Sequence, residues 1–164
     1  MDHLPERASM EAILSPRNYQ LEAFHKAREK NTIVYLETGS GKTFIAIMLL
    51  QYYAHYLRKP CSTIAVFLVP TVVLVKQQGK VVNCHTDLNV AMYHGDIADF
   101  WDEETWKKEI NLHQVFVMTP QILLDALRHG YIKLDLIKVL IMDECHHASG
   151  NHPYACIMRE FYHR

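Results

Sequence analysis

Two clusters in this 164-residue chain have the residue types needed for chemistry on a phosphate chain. The first is Thr38-Gly39-Ser40-Gly41-Lys42-Thr43. Glycines let backbone N–H groups approach phosphate oxygens with no Cβ in the way. Lys42 is a mobile cation for the β- and γ-phosphates, and the Thr43 hydroxyl is a suitable Mg²⁺ ligand. The second cluster is Asp143-Glu144. One carboxylate can hold Mg²⁺ opposite Thr43, directly or through water. Its neighbour can orient and deprotonate an attacking water. Together they form a constellation for nucleoside-triphosphate hydrolysis. The plain alternative for the first cluster is a glycine turn between a strand and a helix. Gly-x-Gly-Lys-Thr with strand-like and helix-like flanks argues against it, although Leu36 stands where the general pattern has a further Gly.

These residues need rigid elements to hold them. Thr32–Leu36 is apolar and β-branched and predicts a strand leading into the glycine loop. The helix after it should run from Thr43 to about Leu57, apolar almost all round and therefore largely buried, with Arg58-Lys59-Pro60 as its stop. Ile64–Val69 reads as a strand covered on both faces, stopped by Pro70 and followed by a helix from Thr71 towards Lys80. A short third strand is expected at Asn89–Tyr93, and an exposed helix of mixed charge at Phe100–Ile110. Val115–Met118 predicts a fourth strand ending at Thr119-Pro120, with a helix over Gln121–His129. Lys138–Met142 predicts a fifth strand running straight into Asp143, and a last helix spans Tyr154–Tyr162. Residues 1–16 read as a poorly ordered lead-in and Arg17–Lys30 as a helix. Alternating strands and helices predict an α/β domain, a parallel sheet covered by helices, with ligands at the carboxyl ends of the strands.

Composition narrows the class further. Hydrophobic residues make up 49% and charged residues 21%, which fits one globular domain. The net charge of −1 excludes a free-standing basic nucleic-acid binder, so any such contact needs a local patch. Four cysteines without a Cys-x-x-Cys pair fit a reducing, intracellular compartment, nucleus or cytoplasm. Residues 1–7 carry no signal-peptide pattern, and no apolar run reaches membrane-spanning length. Cys145, His146, His147, His152 and Cys156 suggest zinc as an alternative, but their spacing matches no established zinc site. Trp101 and Trp106 could stack on bases, but Phe100 and Ile110 mark an apolar face that favours packing on the sheet.

Gly39-Ser40-Gly41-Lys42-Thr43 followed by Asp143-Glu144-Cys145-His146 resembles motifs I and II of the superfamily 2 helicases. Arg17-Asn18-Tyr19-Gln20 resembles the Q motif, which implies that Gln20 reads the adenine edge of ATP. Val69-Pro70-Thr71 with Gln77 and Gln78 resembles motif Ia, and Thr119-Pro120 resembles motif Ib. In the family these touch the nucleic-acid backbone, which implies such contacts for Pro70, Thr71, Gln77, Thr119 and Pro120. A closer resemblance is to the N-terminal helicase module of Dicer-type ribonucleases, especially plant Dicer-like proteins of the second type. It is carried by Asn31-Thr32-Ile33-Val34, Phe67-Leu68-Val69-Pro70, Met118-Thr119-Pro120, Asp143-Glu144-Cys145-His146-His147-Ala148 and His152-Pro153-Tyr154.

The resemblance covers Arg17 to Arg164 and implies a first RecA-like P-loop NTPase domain that uses ATP and Mg²⁺. Lys42, Asp143, Glu144 and His146 would be catalytic, with His146 linking nucleotide state to the nucleic-acid side. Thr38 to Thr43 would hold the nucleotide, and Thr43 and Asp143 the Mg²⁺. In the intact protein, ATP hydrolysis would be coupled to double-stranded RNA processing in small-RNA silencing. The domain would be incomplete here, stopping before the strand of motif III. A second RecA-like domain with its arginine finger, and the RNase III and PAZ modules, would also lie outside this chain. Two expectations follow: weak or no hydrolysis by this chain alone, since an arginine finger contributes ~10³–10⁵ in rate, and a gap in the sheet between the phosphate-loop strand and the Asp143 strand. The alternative is a non-catalytic nucleotide-binding or regulatory module. A small metabolic P-loop kinase is disfavoured by Asp143-Glu144-Cys145-His146 and by the lack of a lid-like Arg cluster.

Overall fold

The computed structural model describes residues 32–36, 42–58, 62–94, 101–143 and 152–162. The lead-in, the helix expected over Arg17–Lys30 and the stretches 37–41 and 144–151 lie outside the described residues. Five strands form one parallel sheet: β1 (Thr32–Leu36), β2 (Ile64–Leu68), β3 (Val90–Tyr93), β4 (Val115–Met118) and β5 (Ile137–Asp143), in the order β1-β5-β2-β4-β3. The helices between them are α1 (Lys42–Leu57), α2 (Val72–His85), α3 (Glu103–Leu112) and α4 (Pro120–Arg128); α5 (Pro153–Ile157) follows β5 and widens into a π turn over Met158–Tyr162.

Side-chain alternation along the strands sorts the core into two layers. Ala65, Phe67, Val69, Val115, Val117, Val139 and Ile141 meet α1 and α2 on one face. Ile64, Val66, Leu68, Phe116, Met118, Leu140 and Met142 meet α3, α4 and α5 on the other. Every described position of β2 and β4 is buried, as the unbroken apolar runs require. The first two crossovers run along the sheet over one face and the next two return over the other, which is the doubly wound arrangement.

The sequence expectations hold for the five strands and the alternation, with four differences. First, α1 has a wet side. Ile45, Ala46, Leu49, Leu50, Tyr53, Ala54 and Leu57 are buried, while Tyr52 and Tyr56 are 41% and 46% exposed. Lys138 places its ammonium 4.9 Å from the Tyr56 ring centre, so that ring faces a cation rather than the core. Second, α2 continues five residues beyond Lys80 to His85, because Val82 still buries against the sheet; Thr71 caps its start by accepting from the Leu74 N–H at 3.2 Å. Third, α3 begins at Glu103 because the Asp102 carboxylate accepts the Thr105 N–H. Its Trp106 and Ile110 are buried, and Trp101 packs edge-on against Trp106 with ring centres 4.9 Å apart, so the tryptophans pack as expected and α3 is not an all-exposed helix.

The fourth difference is the expected gap. Among the described residues β1 and β5 pair directly, from Thr32↔Val139 to Leu36↔Asp143. Their backbone groups satisfy each other, so the exposed, unpaired edges expected there do not arise.

Candidate functional site

Strand register brings the motif residues to one edge. Leu36 lies opposite Asp143, Leu68 opposite both Met142 and Met118, and Tyr93 opposite Met118. The chain therefore leaves the sheet on the same side after β1, β2, β4 and β5. From those exits the sequence continues into the glycine loop after β1, Val69-Pro70-Thr71 after β2 and Thr119-Pro120 after β4, and β5 ends on Asp143. This is the carboxyl edge, where open parallel sheets bind ligands.

Thr43 lies in the first turn of α1, half-buried, and donates its hydroxyl hydrogen to Oε1 of Gln78 on α2 at 3.2 Å. Asp143 is the last residue of β5 and is 8% exposed. Its main-chain carbonyl accepts the hydroxyl of the fully buried Tyr154 at 2.7 Å. The Leu68 carbonyl lies 3.5 Å from the same hydroxyl. Tyr154 in turn is set by the start of α5, where its N–H reaches Nδ1 of His152 at 3.3 Å and the two rings stack. Tyr93, the edge residue of β3, donates to Glu109 at 2.6 Å, and burial together with that carboxylate pushes its phenol far above the ordinary range.

The residues expected to contact nucleic acid divide by exposure. Thr71 and Gln77 are exposed, Pro70 and Thr119 are half-buried, and Pro120 is buried at the first turn of α4. Lys42 opens α1 next to the loop. Gln20, Thr38, Gly39, Ser40, Gly41, Glu144 and His146 lie outside the described residues. Two side chains at this edge went unremarked as site elements. In the sequence Gln78 stands out only beside the nucleic-acid motif, and Tyr154 only as the start of the last helix and in the His152-Pro153-Tyr154 resemblance. Their partners lie 35 and 11 positions away, a separation no local pattern reports.

The donors suit a hard cation. A hydroxyl that gives its hydrogen to an amide oxygen keeps its lone pairs for a metal, and a strand-end carboxylate supplies a second oxygen. Thr43 and Asp143 are the residues that would hold Mg²⁺.

Comparison with known proteins identifies the fold and the family. The chain is 61% identical over 160 residues to the protein named "Endoribonuclease Dicer homolog 2" of Arabidopsis thaliana, covering 97% of this chain and 12% of that protein. It is 60% identical over 149 residues to "Endoribonuclease Dicer homolog 2b" of rice (Oryza sativa subsp. japonica), covering 90% and 11% respectively. The chain thus spans about an eighth of the length of these relatives. The helicase domain of Hef from Pyrococcus furiosus superposes with a TM-score of 0.67 at 30% identity, over 90% of this chain and 30% of that one. The fold is therefore the RecA-like fold of helicase domains. The family model of the DEAD/DEAH box helicases matches residues 17–162. With that match over most of its length, the chain belongs to the DEAD/DEAH box helicase family.

Proposed function

We propose that residues 17–164 are the ATP-binding first RecA-like domain of a Dicer-like RNA helicase. The observation that carries this reading is the shared carboxyl edge: β1 and β5 end level with each other, Leu36 opposite Asp143, so the phosphate-loop and acidic motifs both follow from one side of the sheet. In this reading Thr38 to Lys42 cradle the phosphates with backbone N–H groups and the Lys42 ammonium. Gln20 reads the adenine. Thr43 and Asp143 hold Mg²⁺, which when bound neutralises charge on the β- and γ-phosphate oxygens. Glu144 orients and deprotonates the attacking water, and His146 relays the nucleotide state. Pro70, Thr71, Gln77, Thr119 and Pro120 follow the nucleic-acid backbone. In the longer protein this module couples ATP hydrolysis to double-stranded RNA processing for small-RNA silencing, in the nucleus or cytoplasm. No helix among the described residues is long and apolar enough to cross a membrane.

The test is nucleotide affinity of the purified chain, ATP against GTP, with Lys42→Ala as the control. The expected result is preferential ATP binding that Lys42→Ala weakens at least tenfold, with turnover far below that of the full-length enzyme. Equal binding by Lys42→Ala would remove the reading.

A further inference from the structure

Thr43 can offer its oxygen to a cation only if its hydrogen points elsewhere. A hydroxyl has one hydrogen and two lone pairs, and a bound cation takes a lone pair and repels the hydrogen. In this structure the hydrogen goes to Oε1 of Gln78, 3.2 Å away, in a half-buried contact between two helices. Gln78 is carried by a rigid element. Val75, Gly79 and Val82 bury α2 against the sheet on either side of it, and Thr71 caps the helix start. An amide oxygen is well suited to this position. It accepts the hydrogen without adding a negative charge that would compete with phosphate.

We propose that Gln78 is a positioning residue for the cation that accompanies the nucleotide. It takes the Thr43 hydroxyl hydrogen and leaves a lone pair free for the metal. The role rests on the nucleotide-binding reading above and adds to it a residue from α2, outside the loop and the acidic strand. Partners of this kind, one bond removed from a metal, set ligand orientation, and their loss costs about 10–100-fold in metal affinity.

The experiment measures the affinity of the chain for adenylyl-imidodiphosphate with Mg²⁺ and without it, and the binding of Mn²⁺ to the nucleotide complex by water-proton relaxation. Gln78→Leu is expected to lose about tenfold of the metal-dependent gain, while metal-free nucleotide affinity stays within about twofold of the parent. Gln78→Glu keeps an oxygen acceptor but adds a negative charge, and is expected to retain the metal-dependent gain while binding the metal-free nucleotide more weakly. Gln78→Asn keeps the amide but falls one methylene short of Thr43, and is expected to behave as Gln78→Leu. It provides a second, more conservative variant if the leucine harms folding. A full metal-dependent gain in both Gln78→Leu and Gln78→Asn would overturn the proposal. So would equal losses with and without metal, the mark of a merely structural role. Lys42→Ala separates the two levels. If it abolishes nucleotide binding while Gln78→Leu matches the parent, only the role of Gln78 falls. If the parent binds no better than Lys42→Ala, the nucleotide reading falls and this role falls with it.

Discussion

Tyr154 reaches from α5 to the main chain of Asp143 through a hydroxyl with no exposure to solvent. Tyr154→Phe keeps the ring and removes only that donor, a change worth about 1 kcal/mol. In a domain of this size the thermal midpoint should fall by about 2–4 °C. A midpoint within one degree of the parent, read by near-UV circular dichroism, would mean the bond contributes nothing. That Lys42, Thr43 and Asp143 stand at one edge of the sheet was legible in the sequence from their neighbours: glycines before the lysine, an apolar run before the aspartate. Tyr154 and Gln78 were not, because what each does is set by a residue brought close only by folding.

The ends of helices show how much one residue decides. Asp102 starts α3 by accepting both the N–H and the hydroxyl of Thr105, at 2.9 and 2.8 Å. Those bonds hold its carboxyl below the ordinary value of 3.8. The ionised form is therefore favoured in the fold. Its contribution is complete above the ordinary carboxylate pKa and is lost as pH falls through the lowered one. Asp102→Asn keeps an acceptor and does not titrate, so far-UV circular dichroism on acidification should show a smaller loss of helix than in the parent. An identical acid profile would assign the transition to other carboxylates. In α2, a Cβ on Gly79 would collide with Met92 Sδ and Cγ. Gly79→Ala gains about 1 kcal/mol of helix propensity but overpacks the junction with β3 by about 1–3 kcal/mol. The expected net loss is about 1 kcal/mol, recovered in Gly79→Ala/Met92→Ala and read from the urea midpoint. A single variant more stable than the parent would show that Met92 swings aside freely. Nothing in the local sequence explains a glycine in mid-helix here. Its reason is a side chain from the neighbouring strand.

For the molecule as a whole, β5 is the strand around which both layers assemble, paired with β1 on one side and β2 on the other. Ile141 is fully buried there, and Ile141→Ala should cost about 2–5 kcal/mol, a large part of a typical total stability of about 5–15 kcal/mol. Leu112, 62% exposed, is the control, and Leu112→Ala should change the urea midpoint little. Similar effects of the two would place the core elsewhere. Strand content and the parallel class were legible from the alternation of apolar runs with helical ones. Strand order was not. The direct pairing of β1 with β5 joins residues more than a hundred positions apart, and it replaces the expected gap.

The hydrogen bond from Tyr154 to Asp143 also closes a loop. It joins positions 11 apart, with Glu144 and His146 between them. Bringing the ends of such a segment together costs about 2 kcal/mol of chain entropy, and the folding of β5 and α5 meets that cost before any substrate arrives. Whatever path the segment follows, both ends are anchored to the sheet edge.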